Sequence, residues 1–270
     1  MKQFPIALQV YSVRDAAAAD FTAAMQEVKA MGYDGVELAG TYDLTVAEIK
    51  KILDQVGLQL ISAHVNIELL EQDEVLDAYA ATGMKYIAIP WLDPNTLNKK
   101  EQVAGRIAQF LPIGQRCKER GLQLLYHNHD FEFLPIDGKT ILDTFYDSIP
   151  AELLETEIDT CWANIGGVDP AEYLRKYTGR AHVLHLKDFA GEKTENMYAL
   201  IGQPLSAEER SAFQFRPVGY GCQNIPSILA AAEEAGVEWL VVEQDRPCAG
   251  TTPMECAKMS VDYLKNLMKL

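Results

Sequence analysis

The chain is short of basic residues: 24 Lys and Arg stand against 39 Asp and Glu, a net charge of −15 over 270 residues. That balance argues against gripping a nucleic-acid backbone, which takes clustered cations to displace counterions. Long apolar runs are missing too. Nothing approaches the ~18 residues of a membrane span, and the opening Met1-Lys2-Gln3-Phe4-Pro5 carries no secretory hydrophobic segment. Cysteines are few, five in all (Cys117, Cys161, Cys222, Cys248, Cys256), odd in number and without CxxC spacing. Scattered cysteines of this kind read as reduced thiols, not as a disulfide framework or a zinc cage, and a cytoplasmic location is expected. No base is paired with Cys161, which argues against a nucleophilic thiol. Neither GxGxxG nor GxxxxGKS/T occurs, and VGYGCQN (218–224) has glycines without phosphate-loop spacing, so it reads as a turn.

What the chain does have is a repeated pattern: a helix-period segment, a glycine, one to three residues, then a short β-rich apolar run. The instances are AMGYDGVEL, QVGLQLISAH, ATGMKYIAIP, ERGLQLLYH, YTGRAHVLHL and EAGVEWLVVE. Each glycine (Gly32, Gly57, Gly83, Gly121, Gly179, Gly236) stands where a helix must end in a left-handed residue. With Phe4–Tyr11 and Leu154–Asp159 the count reaches eight strands, near 5–11, 34–39, 59–64, 85–90, 122–128, 154–159, 181–187 and 239–244. Helix starts are marked by Asp20, by Thr45 and by Asp169-Pro170. Strict β–α alternation gives a parallel sheet with helices outside. Eight units in this length predict one closed (β/α)8 TIM barrel domain over 1–270, with a doubly wound open sheet as the alternative. The step from strand seven to strand eight is long, and residues 190–222 form an insertion. A segment of this size is expected to cover a pocket or to meet a neighbouring subunit of a homo-oligomer.

Barrels of this kind carry their chemistry at the C-terminal strand ends. Those ends hold Glu37, His64, Trp91, His127, His129, Glu132, Asp159, His185, Lys187, Glu243 and Asp245. Alternation places Leu184, Leu186, Leu240, Val242 and Ile158 towards the helices. Glu157, Asp159, His185, Lys187, Glu243 and Asp245 then point to the barrel axis. Three neighbouring strands thus aim Asp159, His185 and Glu243 at one spot. Unpaired charges there are costly, and a divalent cation satisfies them; the plain alternative is an ion-pair network bracing the barrel. The fourth ligand is open among His127, His129 and Glu132. An oxygen-rich set without thiolate suits Mn²⁺, Mg²⁺ or Co²⁺ better than structural zinc, with Mn²⁺ the first expectation and Zn²⁺ a further one. Trp91 and Trp162 are candidates to wall a substrate pocket with their flat faces, and His64 to bond a substrate oxygen. Lys187 stands either beside an anionic intermediate or in a salt bridge to Glu157. Glu37 has no visible partner.

The stretches LQVYSVR, YDGVEL, LLYHNHDFEF, EIDTCWA, VLHLKDF, VGYG and VVEQD, spread over residues 4–246, resemble the xylose isomerase-like barrel superfamily of sugar isomerases and epimerases. Inosose dehydratases and abasic-site endonucleases also belong to it. The resemblance implies a single metal held by Glu132, Asp159, His185 and Glu243. Members that epimerise free ketoses place the first glutamate inside strand five, where this chain has His127. They also carry a substrate-binding histidine three residues after the aspartate, where this chain has Trp162. The resulting expectation is a divalent-metal-dependent sugar isomerase or epimerase that abstracts an α-proton and stabilises an enediolate. Glu132 and Glu243 are the candidate acid and base, with His129 and Lys187 as alternates. His127, Trp162 and Glu37 join His64 and Trp91 as candidate substrate contacts. Dehydration or cleavage of a keto-inositol or 3-keto-glycoside through the same enediolate is the alternative. There the HNHDF histidines, ordinarily titrating near ~6.5, would protonate the departing oxygen. A sugar-binding barrel without catalysis is more remote. An endonuclease is disfavoured by the five histidines and the acidic charge.

Overall fold

The computed structural model describes residues 2–193, 197 and 212–269. Eight parallel strands close into a barrel: β1 (Ile6–Gln9), β2 (Gly35–Ala39), β3 (Gln59–His64), β4 (Tyr86–Ile89), β5 (Gln123–His127), β6 (Glu155–Asp159), β7 (Val183–Leu186) and β8 (Trp239–Val242). They follow one another around the barrel in chain order, and β8 pairs with β1 to shut it. The open-sheet alternative is thereby excluded. All six punctuating glycines lie at positive φ, between 75° and 103°. The start signals act as caps: Asp20 accepts from the Ala23 N–H, Asp169 from the Glu172 N–H, and Thr45 forms a reciprocal capping box with Glu48. β1 ends at Gln9, two residues short of the expected 5–11, because a 3-10 turn takes over at Val10–Val13.

Alternation sorts the strand residues into two layers. Leu184, Leu186, Leu240, Val242 and Ile158 pack in the main core against the helices. Ala7, Ile61, Tyr86, Ala88, Leu125, Val183 and Val241 form a separate apolar plug. Two residues beyond this plug along their strands come Gln9, His127, His185 and Glu243, all buried. The barrel interior therefore changes from apolar to charged within one pleat, and the charged layer lies at the C-terminal ends.

The described ends of the long insertion form an antiparallel ribbon, Asp188–Gly191 against Phe213–Arg216. Residues 194–196 and 198–211, the greater part of the expected 190–222 insertion, lie outside the described residues. After the ribbon, the VGYGCQN turn wraps around one side chain. Asp188 accepts N–H bonds from Phe189 and Gln223 on Oδ1 and from Gly219 and Gly221 on Oδ2, at 2.8–3.1 Å. A Cβ at Gly221 would stand 2.2 Å from Asp188 Oδ1, so only glycine lets the backbone come this close. Asp188→Ala leaves buried donors unanswered, each costing about 1–3 kcal/mol. A loss on the order of 3 kcal/mol is expected in the unfolding free energy from urea titration, seen as a lower midpoint. An unchanged midpoint would show that water replaces the carboxylate.

Candidate active site

A cavity of about 470 Å³ opens at the C-terminal strand ends, and its wall includes His64, Trp91, His127, His129, Lys187, Glu243 and Asp245. Beneath it the buried side chains pair densely. His185 stands with Nδ1 3.2 Å from Glu243 Oε2 and Nε2 2.7 Å from Glu37 Oε1. Strand register explains part of this: Asp159 and Val241 both lie level with His185 on the flanking strands. His127 Nε2 is 3.9 Å from both Asp159 Oδ2 and Glu243 Oε2. The ligand-capable atoms of His127, Asp159, His185 and Glu243 all lie within 4.8 Å of one another. A second such group, His64, His127, Glu157 and His185, lies against the first and shares two of its imidazoles.

Two imidazoles and two carboxylates, all buried, make a donor set of the type that holds a hard or borderline divalent ion. Asp159 Oδ2, fully buried, has no hydrogen-bond partner among the described residues. An atom of that kind is what a cation would satisfy, so the residues present fit a metal.

Charges in the site are uneven. Burial pushes the Asp159 carboxyl up to about 6, against the pull of Lys187. Glu243 is also penalised by burial, but Lys187 and His185 hold it well below the ordinary carboxylate range. Lys187, wholly buried, has its Nζ 2.8 Å from Asp245, 3.0 Å from Glu243 and 3.5 Å from Asp159. The alternative salt bridge to Glu157 is therefore not formed among the described pairs; β6–β7 register sets Glu157 level with Val183, four residues before Lys187. Burial lowers His64, yet Glu37 and Glu157 outweigh it and raise its pKa to about 10. The strand-five histidines behave oppositely. Burial first and neighbouring cations second push His127 well down and His129 to about 3. Both are neutral at pH 7, so the expected imidazolium acid in HNHDF is not present in this state.

Glu132 is placed apart from the ligand-capable groups. A 3-10 turn at Phe131–Phe133 carries its carboxyl back to the Tyr126 hydroxyl, 2.6 Å, and the His129 N–H, 2.8 Å. His127 occupies the strand-five position instead. Burial raises Glu132 to about 8, more than its hydrogen bonds lower it. A folded-state pKa raised above the ordinary 4.5 means that stability is highest at low pH and falls as the carboxyl ionises towards pH 8. Glu132→Gln should thus be more stable than the parent at pH 9, by on the order of 3 kcal/mol, with the gap closing towards pH 5. Urea unfolding at both pH values checks this. The variant should also keep its metal; loss of metal would restore Glu132 as a ligand.

The two tryptophans part company. Trp91 is 43% exposed on the cavity wall. Trp162 is 1% exposed, packed 5.4 Å from the His129 ring, with Lys187 Nζ 5.2 Å from its ring centre. Glu37 likewise lies below the wall. Its partners, His185 and His64, come from strands that do not adjoin β2 in one case and do in the other.

Fold and site together define a (β/α)8 barrel with a buried histidine–carboxylate cluster at the mouth of its C-terminal face. The chain belongs to the xylose isomerase-like TIM barrel family, whose model matches residues 25–267. It is similar to the inosose dehydratases of Geobacillus kaustophilus, 23% identical over 90% of this chain and 86% of that one, and of Clostridium perfringens, 24% identical over 93% and 91%. Among solved structures it is similar to a sugar phosphate isomerase/epimerase from Parabacteroides distasonis, 24% identical, with a TM-score of 0.79 over 98% of both chains.

Proposed function

We propose that the chain is a divalent-metal-dependent dehydratase of a keto-polyol such as a keto-inositol, with 3-keto-glycosides as the related lyase substrates. The observation that carries this reading is the one-sidedness of the carboxylates on the cavity wall. Glu243 and Asp245 both follow β8, whereas β3 to β5, on the far side of the barrel, contribute His64, Trp91, His127 and His129. Inversion at carbon calls for proton-transfer groups on both faces; elimination proceeds with one. The similarity to inosose dehydratases supports the same choice.

His127, Asp159, His185 and Glu243 would hold the ion, which when bound supplies the positive charge that acidifies a proton beside the carbonyl. Glu243 takes that proton. Its bonds to Lys187 and His185 both end on Oε2, leaving Oε1 as the atom assigned to the carbon-bound hydrogen. The cationic Lys187 and the neutral His129 hold substrate oxygens, and Trp91 covers a C–H face. Protonated Glu243 then returns the proton to the hydroxyl leaving the next carbon on the same face. Water departs and a C=C bond conjugated to the carbonyl forms.

Isomerisation or epimerisation is the second reading, favoured by His129, which follows β5 and joins the cavity wall from a different strand than Glu243. Proton return from that side would give an epimer. Two keto-polyols epimeric at the carbon that loses hydroxyl separate the readings. Only the epimer with the departing hydroxyl cis to the removed hydrogen should be dehydrated. Solvent deuterium fixed on carbon in D₂O, with no water lost, would overturn dehydration.

A further inference from the structure

His127 and His185 share an orientation. Each ring turns one nitrogen outward, to the Asp159–Glu243 group, and the other inward, to a carboxylate outside that group. His185 presents Nδ1 to Glu243 at 3.2 Å and Nε2 to Glu37 Oε1 at 2.7 Å. His127 presents Nε2 to Asp159 and Glu243 at 3.9 Å and Nδ1 to Glu157 Oε2 at 3.4 Å. Glu37 and Glu157 are fully buried and neither is on the cavity wall. They are tied to each other through His64, whose Nε2 lies 2.7 Å from Glu157 and 3.1 Å from Glu37, and Gln9 steadies Glu37 with a 2.7 Å bond. Burying two carboxylates behind the cavity wall is costly unless they are paired, and imidazoles are the groups that face them. Glu37 Oε2, Glu157 Oε1 and His127 Nδ1 have no hydrogen bond among the described residues, but an ion placed in the inner layer would have to break the His185–Glu37 and His64–Glu157 contacts.

We propose that Glu37 and Glu157 are positioning residues: Glu37 accepts the inner N–H of His185 and Glu157 faces the inner nitrogen of His127 at ion-pair distance, setting which nitrogen faces outward and making that nitrogen a better donor to a cation. An imidazole with one N–H held by a carboxylate has its tautomer and ring angle set before any ion arrives. The inference rests on reading His127, Asp159, His185 and Glu243 as the metal site. Because the His185–Glu37 contact is shorter than the His127–Glu157 one, Glu37 carries the larger effect.

The test uses Co²⁺ titrated into the full metal-free chain, followed by its visible absorption and by competition with a chromophoric chelator. Wild type should bind one ion. Glu37→Gln should bind it roughly 10–100-fold more weakly with an altered spectrum, and Glu157→Gln should show a smaller loss. Thermal unfolding by circular dichroism checks that each variant folds; if Glu37→Gln does not, Glu157→Gln carries the test. Variants that melt differently yet keep the wild-type affinity and spectrum overturn the proposal, since that is the signature of packing alone. Two ions per wild-type chain, one of them lost in Glu157→Gln, would also overturn it and make the inner group a second site. A wild type that binds no Co²⁺ would instead refute the reading of the outer group.

Discussion

His185→Ala is expected to bind no divalent ion in a titration with Mn²⁺, to lose turnover below detection, and to unfold more easily by roughly 3–5 kcal/mol. The stability loss follows from position: the ring is fully buried and faces Glu37 at 2.7 Å, Glu243 at 3.2 Å and Glu157 at 3.6 Å. Truncation leaves those carboxylates short of a buried partner. Burial alone would lower the His185 pKa, but Glu157 and Glu37 raise it well above the ordinary 6.5. A raised folded-state value gives stability that is complete below pH 6.5 and fades as the pH climbs through it. The gap between parent and variant, both metal-free, should accordingly be wider at pH 6 than at pH 10 in urea unfolding. Asp159→Asn is the contrast. It keeps the oxygen that caps the helix Thr160–Ile165 through the Trp162 N–H. It also removes a carboxyl that burial has raised to about 6, so above that pH the metal-free variant should be no less stable than the parent. It should still lose the ion. One variant that loses metal and stability, and another that loses metal alone, separate ligation from folding; undiminished metal in both would refute the site.

The parts of this molecule that the sequence made legible are those set by local rules. Left-handed glycines after helices and period-two alternation act within about ten residues; the glycines marked six of the eight strands, apolar runs the other two, and alternation the inward-facing Asp159, His185 and Glu243. The partners of Lys187 needed register. Val241 pairs with His185, so Glu243, two residues on, comes level with Lys187, while Glu157 lies lower on the far neighbour. That relation depends on how two strands slide, which composition does not record. Glu132 shows the limit from the other side. The strand expected over 122–128 stops at His127, and Asn128 turns inward to accept the Asp159 N–H. The turn that follows swings the Glu132 carboxyl towards Tyr126, behind the strand end. Glu37 was visible as a charge at a strand end, and its service to His185 was not, because β2 and β7 meet only across the barrel interior.

The same interior geometry gives the second large effect. Glu243→Gln should retain its fold, because Gln keeps an acceptor for Lys187, and should retain part of its metal affinity through the three remaining ligand candidates. What it loses is the base. Burial works against an ionised Glu243, yet Lys187 first and His185 next hold its carboxyl well below the ordinary range. It is therefore charged across the neutral pH range and becomes a stronger base when a substrate oxygen draws Lys187 away. Lys187 has Asp245 at 2.8 Å to retreat to, closer than the 3.0 Å to Glu243. With Gln at 243, turnover should fall by roughly 10²–10⁴-fold, the ordinary scale for removing a general base. Exchange of the substrate's α-hydrogen with D₂O should fall by the same factor, because one group performs both transfers. His129→Ala, which removes a neutral cavity-wall imidazole, should lower turnover and exchange together by less. If Glu243→Gln still exchanged the α-hydrogen at the parental rate while failing to turn over, a different residue would be the base. Glu243 would then act on the departing oxygen alone, and the single-face elimination drawn from its position would be refuted.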